Sequence, residues 1–151
     1  MKEKTWHINL YLLNFALLFS HEIDSAYWKE WELFGIPGGI QGFIIVNFLL
    51  LLVALFGFKQ LLEGARNGYA FSLFLAASGI FAFSIHSYFI LTGHPEFTLP
   101  VSLAVLVLAL IVSLAQGFLA LKELLAKPKT AQLPLTEKVR GVETLEVNYH
   151  E

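Results

Sequence analysis

Between Gly39 and Leu121 the chain carries only four charged side chains: Lys59, Glu63, Arg66 and Glu96. A soluble domain spends about a quarter of its residues on charge and could not cover its surface from such a stretch. A helix crosses a bilayer with roughly 20 apolar residues. Four segments meet that requirement, at about residues 7–27, 39–58, 69–91 and 97–121. The first is the most polar, because His21, Glu22 and Asp24 fall in its last third. With 56% hydrophobic and 15% charged residues overall, the chain reads as an all-α, four-helix transmembrane bundle spanning residues 1–121.

The connections support that reading. Ile36-Pro37-Gly38-Gly39 is a break before the second span, and Gly93-His94-Pro95 punctuates the turn between the third and fourth. Short loops make successive helices neighbours of opposite direction, an up-down-up-down arrangement. Lysine and arginine set the orientation. Lys2, Lys4, Lys59, Arg66, Lys122, Lys127 and Lys129 fall on one side, and only Lys29 on the other. Both termini are therefore expected to be cytoplasmic, in a multi-pass protein of the cell membrane, most simply a bacterial cytoplasmic membrane. No small-x-small cleavage site follows the first span, which is expected to stay as a helix. Residues 122–151 alternate charges, carry two prolines and read as a polar, disordered cytoplasmic tail.

This topology gathers the chemistry at one level. His21, Glu22 and Asp24 lie near the outer end of the first span, and Glu30 and Glu32 in the loop beyond it. His86 lies near the outer end of the third span, with His94 and Glu96 in the next loop. At about 100° per residue, Asn14, His21, Asp24 and Trp28 share one helix face. Ser102, Ser113 and Gln116 form a matching polar stripe on the fourth span, expected to face the interior. Imidazoles and carboxylates at one depth suit a divalent metal such as zinc or iron. The expected ligands are His21, Asp24, His86 and His94, with Glu22 or Asp24 as general base. A metal-bound water titrates near pH 7, and a site open to the bilayer favours a lipid-like substrate.

Other readings use the same residues. An amphipathic exit from the membrane would also place His21 to Glu32 near water, with Tyr27, Trp28 and Trp31 as an interfacial belt. His21 and His86 are also candidate axial ligands of a b-type haem. A non-enzymatic accessory protein or homo-oligomer would use the cluster as a proton-responsive group. His7 and His150 lie on the opposite side or in the tail and read as structural. Net charge −2 supplies no footprint for nucleic acid. There is no cysteine for a thiolate site, and no GxGxxG, GxxxxGK or GxSxG motif.

The segment His21-Glu22-Ile23-Asp24-Ser25-Ala26-Tyr27-Trp28-Lys29-Glu30-Trp31 resembles a family of small, uncharacterised bacterial membrane proteins that share a His-Glu-Ile-Asp-x-x-Tyr-Trp-x-Glu-Trp segment. The carried-over positions are His21, Glu22, Asp24, Tyr27, Trp28, Glu30 and Trp31. The resemblance implies membrane location and assigns no activity.

Overall fold

The computed structural model describes residues 2–94 and 96–126, all helix and connecting turn, with no strand among them. Five helices follow in order: α1 (Lys2–Tyr27), α2 (Glu30–Leu33), α3 (Gly39–Leu62), α4 (Arg66–Leu91) and α5 (Pro100–Leu125). Three of them, α3, α4 and α5, are long and apolar enough to cross a membrane, with mean hydropathies of 2.4, 1.7 and 2.5 over 18 residues. α1 is as long as α4, at 26 residues, but its polar positions keep it outside that set. Most of the expected tail lies outside the described residues, as does His150; its first four residues, Lys122–Leu125, continue α5.

Large apolar side chains cover the outside, while the interior is shared between apolar and polar residues. Ile45, Phe48, Leu55 and Phe56 of α3, and Val101, Ile111 and Phe118 of α5, are exposed. Asn14, His21, Ser72, His86, Ser113 and Gln116 are buried beside Leu61, Leu75, Phe97 and Leu106. Water-soluble domains seldom expose so many large apolar side chains. A helix satisfies its own backbone hydrogen bonds, so an apolar exterior leaves only side chains to direct packing.

Side-chain contacts join the helices along their length. Near one end, Lys4 Nζ donates to the Leu62 carbonyl and Arg66 Nη2 to that of Leu124. His7 lies 3.7 Å from Glu123 and packs edge-on against Tyr69. Further along, the Tyr11 hydroxyl donates to the Ala54 carbonyl at 2.7 Å. At mid-length Asn14 Nδ2 donates to Gln116 Oε1 at 2.7 Å, and the Ser113 hydroxyl donates to Asn14 Oδ1 at 3.2 Å. Gln116 Nε2 in turn meets Ser72 at both its carbonyl and hydroxyl. The Ser102, Ser113 and Gln116 stripe is thus buried, with Ser113 and Gln116 tying α5 to α1 and Gln116 also reaching α4.

Small residues set the close approach of α4 and α5. A Cβ at Gly79 would collide with Ser113 Oγ, which explains glycine there. At the opposite boundary, Pro100 occupies the first turn of α5, where its missing N–H costs no helical bond.

Gln116 joins three helices, so its replacement by leucine removes three hydrogen bonds and strands Asn14 Nδ2 in the interior. Gln116→Leu is expected to destabilise the folded chain by about 1–3 kcal/mol. Thermal unfolding in detergent checks this, and an unchanged midpoint would show that the network carries no stability.

Candidate metal centre

The turn after α1 decides which acid reaches the interior. Lys29 adopts a left-handed conformation, φ 54° and ψ 47°, which a non-glycine residue reaches only at some cost. That reversal starts the single turn of α2 and carries Glu30 back into the protein, where it is 7% exposed. Glu32, two residues on, stays at the surface and pairs with Lys29. Gly38 and Gly39 both have positive φ, and a Cβ at Gly42 would strike the Pro37 carbonyl. The glycines of Gly38-Gly39-Ile40-Gln41-Gly42 therefore serve a tight chain reversal into α3.

His21 from α1, Glu30 from α2 and His86 from α4 converge. Each offers a ligand atom within 4.8 Å of the other two, and all three residues are buried. The imidazole centroids of His21 and His86 are 4.6 Å apart with the rings at 88°. His86 Nε2 lies 3.5 Å from Glu30 Oε1. A tetrahedral ion with bonds near 2.1 Å separates its ligand atoms by about 3.4 Å.

The hydrogen bonds make that contact informative. His86 Nδ1 lies 2.7 Å from the Ala82 carbonyl. A carbonyl only accepts, so Nδ1 carries a proton, and Nε2 is the ring nitrogen left to hold a second proton or a metal ion. Nε2 is buried, has no hydrogen-bond partner and faces a carboxylate. A buried carboxylate facing that nitrogen calls for a cation between them, a proton or a metal ion. The Nδ1–H bond to a backbone carbonyl is also the usual orienting contact of a metal-bound histidine. Ser25 Oγ lies 3.5 Å from His21 Nε2. Burial pushes the Glu30 carboxyl above the ordinary carboxylate range, while the Ser25 hydroxyl and His86 act in the other direction.

Phe97 roofs the pair. It is fully buried, 4.0 Å from the His86 ring and 6.0 Å from that of His21. Its φ of 66° is rare for a bulky residue and marks a backbone held by its surroundings.

Of the residues expected from sequence, His21 and His86 meet in this group. Asp24 does not join it: its Oδ2 is buried without a hydrogen-bond partner, within electrostatic reach of Glu30. His94 lies apart, half-exposed and 3.6 Å from Glu96. Glu22 stands beside Asn47 of α3 and lines a cleft that also reaches His21, Glu30 and His86. The sequence alone places Glu30 in the loop beyond the first span. The signal that could have promoted it is its place in the His21–Trp31 segment, together with the glycine-rich break that follows.

The His86–Glu30 contact yields a test with a definite sign. Glu30→Gln supplies an amide that can donate to an unprotonated His86 Nε2. If a metal ion normally bridges the pair, metal-free protein carrying Glu30→Gln is expected to be stabilised by about 0.5–1.5 kcal/mol. Unfolding in the presence of chelator checks this, and a loss of stability would show that a proton already bridges His86 and Glu30.

No curated protein and no solved structure matches the chain significantly. One family model does match, over residues 7–123, from the first turns of α1 to the last turn of α5 and including all three residues of the cluster. The chain belongs to the family of unknown function DUF6713.

Proposed function

We propose that this is a multi-pass protein of the cell membrane, most simply a bacterial cytoplasmic membrane, with α1, α3, α4 and α5 crossing up-down-up-down and both termini cytoplasmic. The end contacts support the arrangement, since Lys4 reaches Leu62 and Arg66 reaches Leu124. These cations cluster at the end expected to be cytoplasmic, while Tyr27 ends α1 at the other, with Trp28 and Trp31 just beyond it. Buried polar groups offset the low hydropathy of α1: its histidines, Tyr11 and Asn14 all face neighbouring helices.

In this reading His21, Glu30 and His86 bind one divalent ion near the outer face. The observation that carries it is the buried, unpartnered Nε2 of His86 directed at Glu30. Two imidazoles and one carboxylate with a position left open suit catalytic zinc or non-haem iron. Glu22 is placed to act as general base from the cleft wall, and Asp24 to tune the charge of Glu30. Access from the bilayer makes a membrane lipid the natural substrate. The 4.6 Å spacing of the two imidazoles leaves no room for a porphyrin between them, so a bare ion fits better than haem.

Metal analysis after loading detergent-purified protein with zinc or iron(II) tests the proposal. Wild type is expected to hold one equivalent per chain. His86→Ala and Glu30→Gln are expected to bind roughly ten-fold or more weakly. Wild-type protein that takes up neither metal would sink the reading and leave a proton, rather than a metal, between His86 and Glu30.

A further inference from the structure

We infer that the cleft beside this centre holds the hydrocarbon chain of a single membrane amphiphile whose acidic, oxygen-bearing head lies at His21, Glu30 and His86. The placement of the head rests on the metal reading; the placement of the chain does not. The cleft encloses about 820 Å³ between α1, α3 and α4. That is the size of a site for one small molecule, about 300–1,000 Å³.

Its polarity is one-sided. His21, Glu22, Glu30 and His86, with Asn47 beside them, stand toward one end, and the rest of the lining is almost wholly apolar. The Ser78 hydroxyl is spent on the Phe74 carbonyl and makes no polar demand on a ligand. On the side away from the centre the lining reaches Ala54, whose carbonyl accepts the Tyr11 hydroxyl. The small side chains of Ala77 and Ala82 leave the space open, while Phe19, Phe48 and Phe81 line it from exposed positions.

Length points to the same occupant. The walls run from Phe74 to His86 on α4 and from Phe43 to Ala54 on α3. At about 1.5 Å per residue that is roughly 16–18 Å. One leaflet of hydrocarbon is about 15 Å thick, half of a core near 30 Å. A lipid chain entering from the outer leaflet would therefore end near Tyr11 while its head stayed at the level of the imidazoles. A water-soluble substrate would leave most of this lining unused.

The test uses the full chain, delipidated in detergent and loaded with zinc. The probes are hexadecyl phosphate, hexadecanoic acid and hexadecanol, and retained molecules are counted by native mass spectrometry. Ala77→Trp fills the cleft from an exposed position without touching the metal ligands. Val107→Trp places the same bulk on the exposed face of α5, outside the cleft. Wild type and Val107→Trp are expected to retain one acidic probe per chain. Ala77→Trp is expected to bind about ten-fold more weakly or worse, with unchanged metal content. Comparing the phosphate with the carboxylate identifies the preferred head. Equal retention by Ala77→Trp and wild type, or equal loss in Val107→Trp, would overturn the chain assignment. Equal retention of hexadecanol and both acids would overturn the head placement. Retention that depends on Ala77 in a protein that binds no metal would refute the metal reading and uphold the chain assignment.

Discussion

The packing of α1 depends on polar groups that have nowhere else to go. His7, Tyr11, Asn14, His21 and Ser25 are its buried positions, and they recur at helical spacing along one face. Buried away from solvent, such a face must find partners on other helices. It finds Glu123 and Gln116 on α5, the Ala54 carbonyl on α3 and His86 on α4. A helix too polar to count with the three most apolar ones is thereby held at the centre of the assembly. Its partners are set one by one by hydrogen-bond geometry rather than by apolar area.

The same constraint divides the seam into two kinds of contact. At mid-length Asn14, Ser72, Ser113 and Gln116 match donors to acceptors, and their amides and hydroxyls exchange hydrogen bonds across three helices. Toward the end that carries His21 and His86 the matching fails. His86 Nε2, Asp24 Oδ2 and Trp28 Nε1 are buried without hydrogen-bond partners, and Glu30 Oε1 lies 3.5 Å from His86 Nε2. The structure thus satisfies its central network and leaves polar atoms unmatched beside a cleft.

The backbone exceptions gather at this same end. Lys29 and Phe97 are the two non-glycine residues with positive φ among those described. Lys29 turns the chain so that Glu30 points inward, and the bend at Phe97 accompanies a ring seated on the imidazoles. Both sit in connections, where the chain is free of the helical hydrogen-bond ladder and can adopt conformations that a helix forbids.

The apolar helices α3, α4 and α5, the break at Gly38-Gly39 and the placing of His21 and His86 at one end were legible in the residues themselves. Hydropathy and helical period are local properties that short segments carry by themselves. The polar stripe of Ser113 and Gln116 was legible for the same reason. Which acid meets the two histidines was not. Asp24 lies one turn from His21, and His94 lies eight residues beyond His86, so counting along the chain favours both. Glu30 comes beside His86 because a single left-handed residue, Lys29, folds it inward, and the chain carries no periodic signal for that turn. The cleft was equally invisible, since it exists only where α1, α3 and α4 leave space between small side chains. Sequence determined which groups fall toward one end of the helices; only the tertiary structure decided which of them touch, because contact across helices depends on turn geometry and packing that no single segment contains.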